Sequence, residues 1–219
     1  MLRFSFEKRG RDPYRILCLG AHSDDIEIGC GGTILELLRT RRDLEFHWVV
    51  FSSGAERDRE ANRSSELFLK SAKKKNVSVL NFRNGFFPSE LIEIKEYFEG
   101  LKSAFSPDLI FTHTRDDLHQ DHRVINQLTW NTWRNHLILE YEILKYDGDL
   151  GNPNVFVNFD QKVCERKINY LMTAFNTQRD KQWFTRDTFH GLMRIRGVHS
   201  NSPGKFAEAF YVRKLVLNA

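Results

Sequence analysis

Ala21-His22-Ser23-Asp24-Asp25-Ile26-Glu27-Ile28-Gly29-Cys30-Gly31-Gly32-Thr33 is the stretch around which the chain is read. The apolar run before it, Ile16-Leu17-Cys18-Leu19-Gly20, predicts a buried strand. The glycines that close it lead into Ile34-Leu35-Glu36-Leu37-Leu38, a helical pattern. One imidazole and two adjacent carboxylates therefore stand where a strand stops and a helix begins. In open parallel sheets that edge is where ligands bind.

Working outward, the periodicity predicts strands over 14–21, 44–52, 77–82, 109–112, 137–146, 155–159 and 207–217. Helices are expected over 31–40, 55–75, 89–105 (with Ser89 as N-cap), 124–132, 164–175 and 186–197. Strands alternating with helices argue for an α/β fold: a mostly parallel sheet with helices on both faces and an antiparallel extension near the C-terminus. With 219 residues and no repeat or linker, one domain spanning 1–219 is expected.

Composition narrows the classes. Hydrophobic residues are 41% and charged residues 28% of the chain, an ordinary globular balance. No apolar run is long enough to span a bilayer, and Met1 to Pro13 lacks the apolar centre of a signal peptide. A net charge of +4 permits an anionic substrate, but the basic residues are dispersed, so no nucleic-acid partner is expected. Arg39, Arg41 and Arg42, and likewise Lys73, Lys74 and Lys75, read as cations closing helices. Cys18, Cys30 and Cys164 form no CxxC pair, which suggests neither a disulfide framework nor a cysteine zinc site; a reducing cytoplasm follows as the expected location.

A second polar cluster, His113-Thr114-Arg115-Asp116-Asp117-Leu118-His119-Gln120-Asp121-His122, also follows a strand. Four of the eight histidines lie in the two clusters, at one predicted sheet edge. Alone, an Asp-Asp pair at a strand end is usually a cap or turn former. Together the clusters point to a metal. His22, one aspartate of the 24–25 pair and His122 would make a His₂Asp site with a position left for water. The other aspartate would then serve as general base. Two other readings compete: a nucleotide-binding Rossmann domain, which the missing GxGxxG spacing disfavours, and a metal-binding protein without turnover.

At these residues the chain resembles the LmbE-like, or PIG-L, family of zinc-dependent N-deacetylases. The family's first motif, Ala-His-Pro-Asp-Asp then Gly-Cys-Gly-Gly-Thr, is matched by Ala21 to Asp25 and Gly29 to Thr33, with Ser23 in place of proline. The second, His-x-Asp-His often preceded by Asp-x, is matched by Asp117-Leu118-His119-Gln120-Asp121-His122. The resemblance implies a Rossmann-like fold, zinc (or another divalent metal such as Fe²⁺) on His22, Asp25 and His122, and Asp24 as general base. It assigns His119 to the oxyanion or to proton transfer, and Asp121 to orienting an imidazole. Arg63, in Arg63-Ser64-Ser65-Glu66, matches an arginine that holds sugar hydroxyls; Glu56 is a candidate of the same kind. Asn84 stands where relatives carry a substrate-binding aspartate. The implied substrate is an N-acetyl amino sugar or its conjugate, which the basic residues allow to be phosphorylated. Another N-acyl or amide conjugate is the alternative, and assembly into a homo-oligomer is a further implication.

Overall fold

The computed structural model describes residues 13–216. Met1 to Arg11 and Leu217, which entered the signal-peptide and last-strand readings, lie outside the described residues, as does Asp12. The order is β1 (Tyr14–His22), α1 (Asp25–Thr40), β2 (Leu44–Ser52), α2 (Ala55–Phe68), β3 (Lys74–Val79), α3 (Leu91–Ala104), β4 (Leu109–His113), α4 (Gln120–Thr132), β5 (Leu137–Tyr141), β6 (Val155–Phe159), α5 (Gln161–Ala174), α6 (Arg186–His199) and β7 (Phe206–Tyr211). Seven strands form one sheet in the order β3-β2-β1-β4-β5-β7-β6. The first five are parallel, and β7 runs antiparallel to both β5 and β6. The mixed α/β architecture and its antiparallel C-terminal strands are those expected.

Alternation along each strand feeds two cores. Ile16 and Cys18 of β1, Phe46, Trp48 and Val50 of β2, and Phe111 of β4 pack beneath α1, α2, α5 and α6. Leu17 and Leu19, Val49 and Phe51, and Ile110 face α3 and α4. Strands buried on both faces must be apolar throughout. The chain leaves β1 toward β2 on one side and reaches β4 on the other, so the carboxyl ends of β1 and β4 flank the switch point of the sheet. Among the described residues no helix is long and apolar enough to cross a membrane.

Several boundaries differ from the periodicity. Helix α1 starts at Asp25 rather than residue 31, with an acid in its first turn to complement the helix N-terminus. Gly29, Gly31 and Gly32 are therefore interior to a helix, where each costs about 1 kcal/mol in propensity. They serve close approach: a Cβ on Gly29 would meet the Tyr141 ring at 2.2 Å, on Gly31 the Phe68 ring at 2.6 Å, and on Gly32 the Phe159 ring at 2.8 Å. Helix α2 stops at Phe68 and β3 begins at Lys74, so Lys74 and Lys75 open a strand instead of closing a helix. Lys74 pairs opposite Glu45, and exposed lysines suit an edge strand by discouraging pairing with other chains. Ser89 lies in a short 3₁₀ turn (Phe87–Ser89) and Glu90 takes the N-cap of α3; β5 ends at Tyr141, five residues early.

Gly29→Ala tests the packing account. The Tyr141 ring is fully buried and its hydroxyl donates to Leu19 O at 2.6 Å, so it has no room to swing aside. The substitution is expected to destabilise by about 1–3 kcal/mol through overpacking, in spite of the better helix propensity of alanine. A chemical-denaturation midpoint equal to wild type or above it would reject this account.

Candidate metal centre and cavity

His22 is the last residue of β1, and the chain turns at Ser23-Asp24 so that Asp25 opens α1. His122 is in the first turn of α4, which follows β4 through the loop 114–119. His119 sits at the N-cap of α4, where its Nδ1 accepts from Asp121 N at 3.2 Å. That cap starts the helix at Gln120, before the apolar face that predicted it.

The two neighbouring strand ends bring His22, Asp25 and His122 together. His22 Nδ1 is 3.1 Å from His122 Nε2, and Asp25 Oδ2 is 3.3 Å from the first and 3.5 Å from the second. Ligands on a tetrahedral zinc with bonds of about 2.0–2.1 Å stand about 3.3 Å apart. The outward nitrogen of each imidazole is already engaged by a carboxylate: His22 Nε2 by Asp121 Oδ2 at 3.2 Å and His122 Nδ1 by Asp117 Oδ2 at 2.8 Å. Carboxylates behind histidines fix the tautomer and raise ligand basicity. Two nitrogens and a carboxylate oxygen converging in this way fit a divalent cation.

The carboxylates are themselves held. Asp121 accepts from Gly85 N at 2.6 Å and Phe87 N at 3.2 Å, which ties the loop after β3 to the site. Asp117 Oδ1 is 3.0 Å from Lys145 Nζ, and Lys145 also meets Asp149. His113, fully buried, packs its ring 3.9 Å from that of His122. Its Nε2 lies 3.0 Å from Ala21 N and accepts from it, and is 3.3 Å from Asp25 Oδ2.

Burial disfavours the charged form of every group here, and the local charges then sort them. His122 is driven down to about 3 by burial and by the His113 charge. Burial opposes protonation of His22, but Asp25, Asp121 and Asp24 outweigh it and lift the ring to about 9. Burial opposes ionisation of Asp25, and the imidazoles of His122, His113 and His22 outweigh it and hold the carboxyl well below its ordinary value. His119 is lowered, by burial first and by the His22 charge second.

Asp24 is nearly buried and lines a cavity of about 840 Å³ together with His22, Asp25, His119 and His122. Its Oδ1 is 3.0 Å from Arg57 Nη2. Glu56 and Asn84 also line this cavity. Arg63 does not: it is exposed on the outer side of α2. Arg57 and Glu60 repeat the Arg-x-x-Glu spacing six residues before Arg63 and Glu66. That earlier pair faces inward, Arg57 toward Asp24 and Glu60 onto Thr177 N and Oγ1 at 2.8 and 2.6 Å. Asp117 and His113, quoted in the second polar cluster without a role, and Arg57 are thus further neighbours of the site.

The polar constellation lies at the switch point of a doubly wound sheet, with the Asp24 carboxylate beside it, and its donor set fits a divalent cation. The chain belongs to the PIG-L (LmbE-like) family of N-deacetylases: the family, described as GlcNAc-PI de-N-acetylase, matches residues 17–133, which include both polar clusters. None of the curated proteins matches the chain significantly. Among solved structures, the conserved protein TT1542 from Thermus thermophilus is 16% identical, with a TM-score of 0.72 over 93% of this chain and 96% of that one. N,N'-diacetylchitobiose deacetylase from Pyrococcus horikoshii is 20% identical, with a TM-score of 0.69 over 93% and 85%. GalB, the 4-carboxy-2-hydroxymuconate hydratase from Pseudomonas putida KT2440, is 15% identical, with a TM-score of 0.68 over 94% and 99%. At these identities the likeness establishes the fold.

Proposed function

We propose that the chain hydrolyses the N-acetyl group of an amino sugar or amino-sugar conjugate, releasing acetate and a free amine. In this reading zinc is the metal, with Fe²⁺ as the alternative, and carbohydrate or glycoconjugate biosynthesis in a bacterium is the setting. The observation that carries the proposal is the His22–Asp25–His122 triangle with Asp24 beside it, opening on a cavity large enough for a sugar conjugate. The family to which the chain belongs, and the deacetylase named among its structural neighbours, support the same bond class.

His22 Nδ1, Asp25 Oδ2 and His122 Nε2 would hold the metal. A metal bound there supplies Lewis acidity, lowering the pKa of a water toward about 7 and polarising the acyl oxygen. Asp24 takes the proton from the attacking water. Arg57 fixes its Oδ1 and leaves Oδ2 without a protein partner among the described residues. Because His119 accepts at Nδ1, its neutral ring carries the proton on Nε2 and donates from there to the oxygen of the tetrahedral adduct. The water oxygen adds to the acyl carbon first, and the adduct then re-forms the carbonyl as its C–N bond breaks and the proton held by Asp24 passes to the leaving nitrogen. Arg57 takes the sugar-positioning role that the resemblance had given to Arg63, with Glu56 and Asn84 on the same wall.

The direct test is acetate release from a panel of N-acetyl amino sugars and their conjugates, using zinc-reloaded protein. Turnover of at least one member, abolished by a chelator and restored by zinc, is the expected result. Stoichiometric metal with no turnover across the panel would overturn the deacetylase reading.

A further inference from the structure

Two carboxylates stand behind the metal triangle, and they are held differently. Asp121, behind His22, takes its other hydrogen bonds from the amides of Gly85 and Phe87. Asp117, behind His122, faces a charge. Its Oδ2 is 2.8 Å from His122 Nδ1, and its Oδ1 accepts from His119 N at 2.8 Å and lies 3.0 Å from Lys145 Nζ. Lys145 lines the cavity with its side chain nearly buried. Asp147 Oδ2 at 3.6 Å and Asp149 Oδ2 complete a group of three carboxylates around the ammonium. Burial opposes the charge on Lys145, and Asp149 and Asp117 outweigh it.

The frame around this ammonium has contacts of its own. Asp149 accepts from Leu118 N at 2.8 Å, which ties the loop after β5 to the loop 114–119. Asp117 has the His119 amide on one oxygen and the His122 ring on the other. What Lys145 adds is a positive charge on the oxygen of Asp117 that does not touch His122.

We propose that Lys145 is a positioning residue that acts through Asp117 to make the bound metal more acidic and less tightly held. A carboxylate behind a metal-binding histidine raises the basicity of the ring. A more basic ring binds the metal more tightly and gives it more electron density, which weakens it as a Lewis acid. An ammonium on the far oxygen of the same carboxylate draws negative charge away from the ring. Lys145 therefore moderates the donation of His122, whereas Asp121, held by neutral amides, leaves that of His22 in full. The inference rests on the metal triangle of the deacetylase reading, and it adds a residue that sets how that metal behaves.

The test measures zinc Kd, by competition with a chromophoric chelator, beside kcat on an N-acetyl amino sugar that the wild type turns over. Lys145→Met is expected to lower zinc Kd at least about threefold and to lower kcat about tenfold, a size usual for changes behind metal ligands. A residue that only clamped the two loops would raise Kd when removed, so the opposite signs of the two effects separate tuning from scaffolding. On an Asp117→Asn background most of both shifts should vanish, because the amide offers no charge for the ammonium to draw on. Lys145→Gln, which keeps a donor without the charge, carries the same expectations if Lys145→Met does not fold. A raised or unmoved zinc Kd, an unmoved kcat, shifts of equal size on the Asp117→Asn background, or failure of both variants to fold overturns the inference. If the wild type turns over none of the sugars, the deacetylase reading falls, and the zinc Kd, which needs no substrate, still decides whether Lys145 loosens the metal.

Discussion

Asp24→Asn is expected to lower kcat by about 10²–10⁴-fold, the range a positioned general base supplies. The amide keeps the shape of the side chain, and its oxygen stays beside Arg57, so the wall of the cavity stays in place. Only the capacity to take a proton is lost. Bound metal should remain at wild-type stoichiometry, because Asp24 lies outside the triangle of His22, Asp25 and His122. Metal analysis beside steady-state kinetics separates the two roles. A variant that keeps full activity removes Asp24 as the base, and one that loses both metal and activity moves it among the ligands.

Metal removal should take activity to background, and the affinity for the metal should depend on pH in a definite direction. In the metal-free protein His22 titrates near 9 and is protonated at pH 7, whereas His122, near 3, is neutral and Asp25 is ionised. A metal binds only the neutral imidazole. Below about 9 it must therefore displace one proton from His22. Affinity is expected to rise about tenfold per pH unit from 6 to 9 and to level off above that. Calorimetry at pH 7 in buffers of different ionisation enthalpy should report close to one proton released per zinc. Release of none would mean that the carboxylates around His22 do not hold it charged.

The sheet was legible because its central strands are covered on both sides, which forces near-continuous apolar runs such as Trp48 to Phe51. The convergence of His22, Asp25 and His122 was legible for a related reason: two polar clusters leaving parallel strands must share an edge. What escaped was decided by packing or by backbone pairing. Glycines read as helix breakers when their neighbours are unknown, and the Tyr141 and Phe68 rings that make Gly29 and Gly31 necessary are distant in sequence. Lysines read as a helix end, yet an edge strand accepts Lys74 because pairing to β2 uses only backbone. For Arg57 against Arg63 a signal did exist. Ala61, Ser64 and Phe68 mark the buried face of α2, and Glu60 belongs to it, whereas residue 63 falls outside. Asp117 stands at the head of the second motif, but its role was not legible, since its contact with His122 depends on the course of a loop.

Every residue of the proposed metal triangle, and the proposed base, is synthesised by position 122. The helix that carries Asp25 is nevertheless held from the far end of the chain. Glu208 of β7 accepts from Gly32 N and Thr33 N at 2.7 and 2.6 Å, and Lys167, paired with Glu208, donates to Ile28 O. β7 also fills the place between β5 and β6. A nascent chain emerging from the ribosome therefore has all its ligands long before it has the strand that steadies them. The order of α1 is thus expected to wait on β7, the strand that fills the sheet between β5 and β6 and carries Glu208 to the backbone of Gly32 and Thr33.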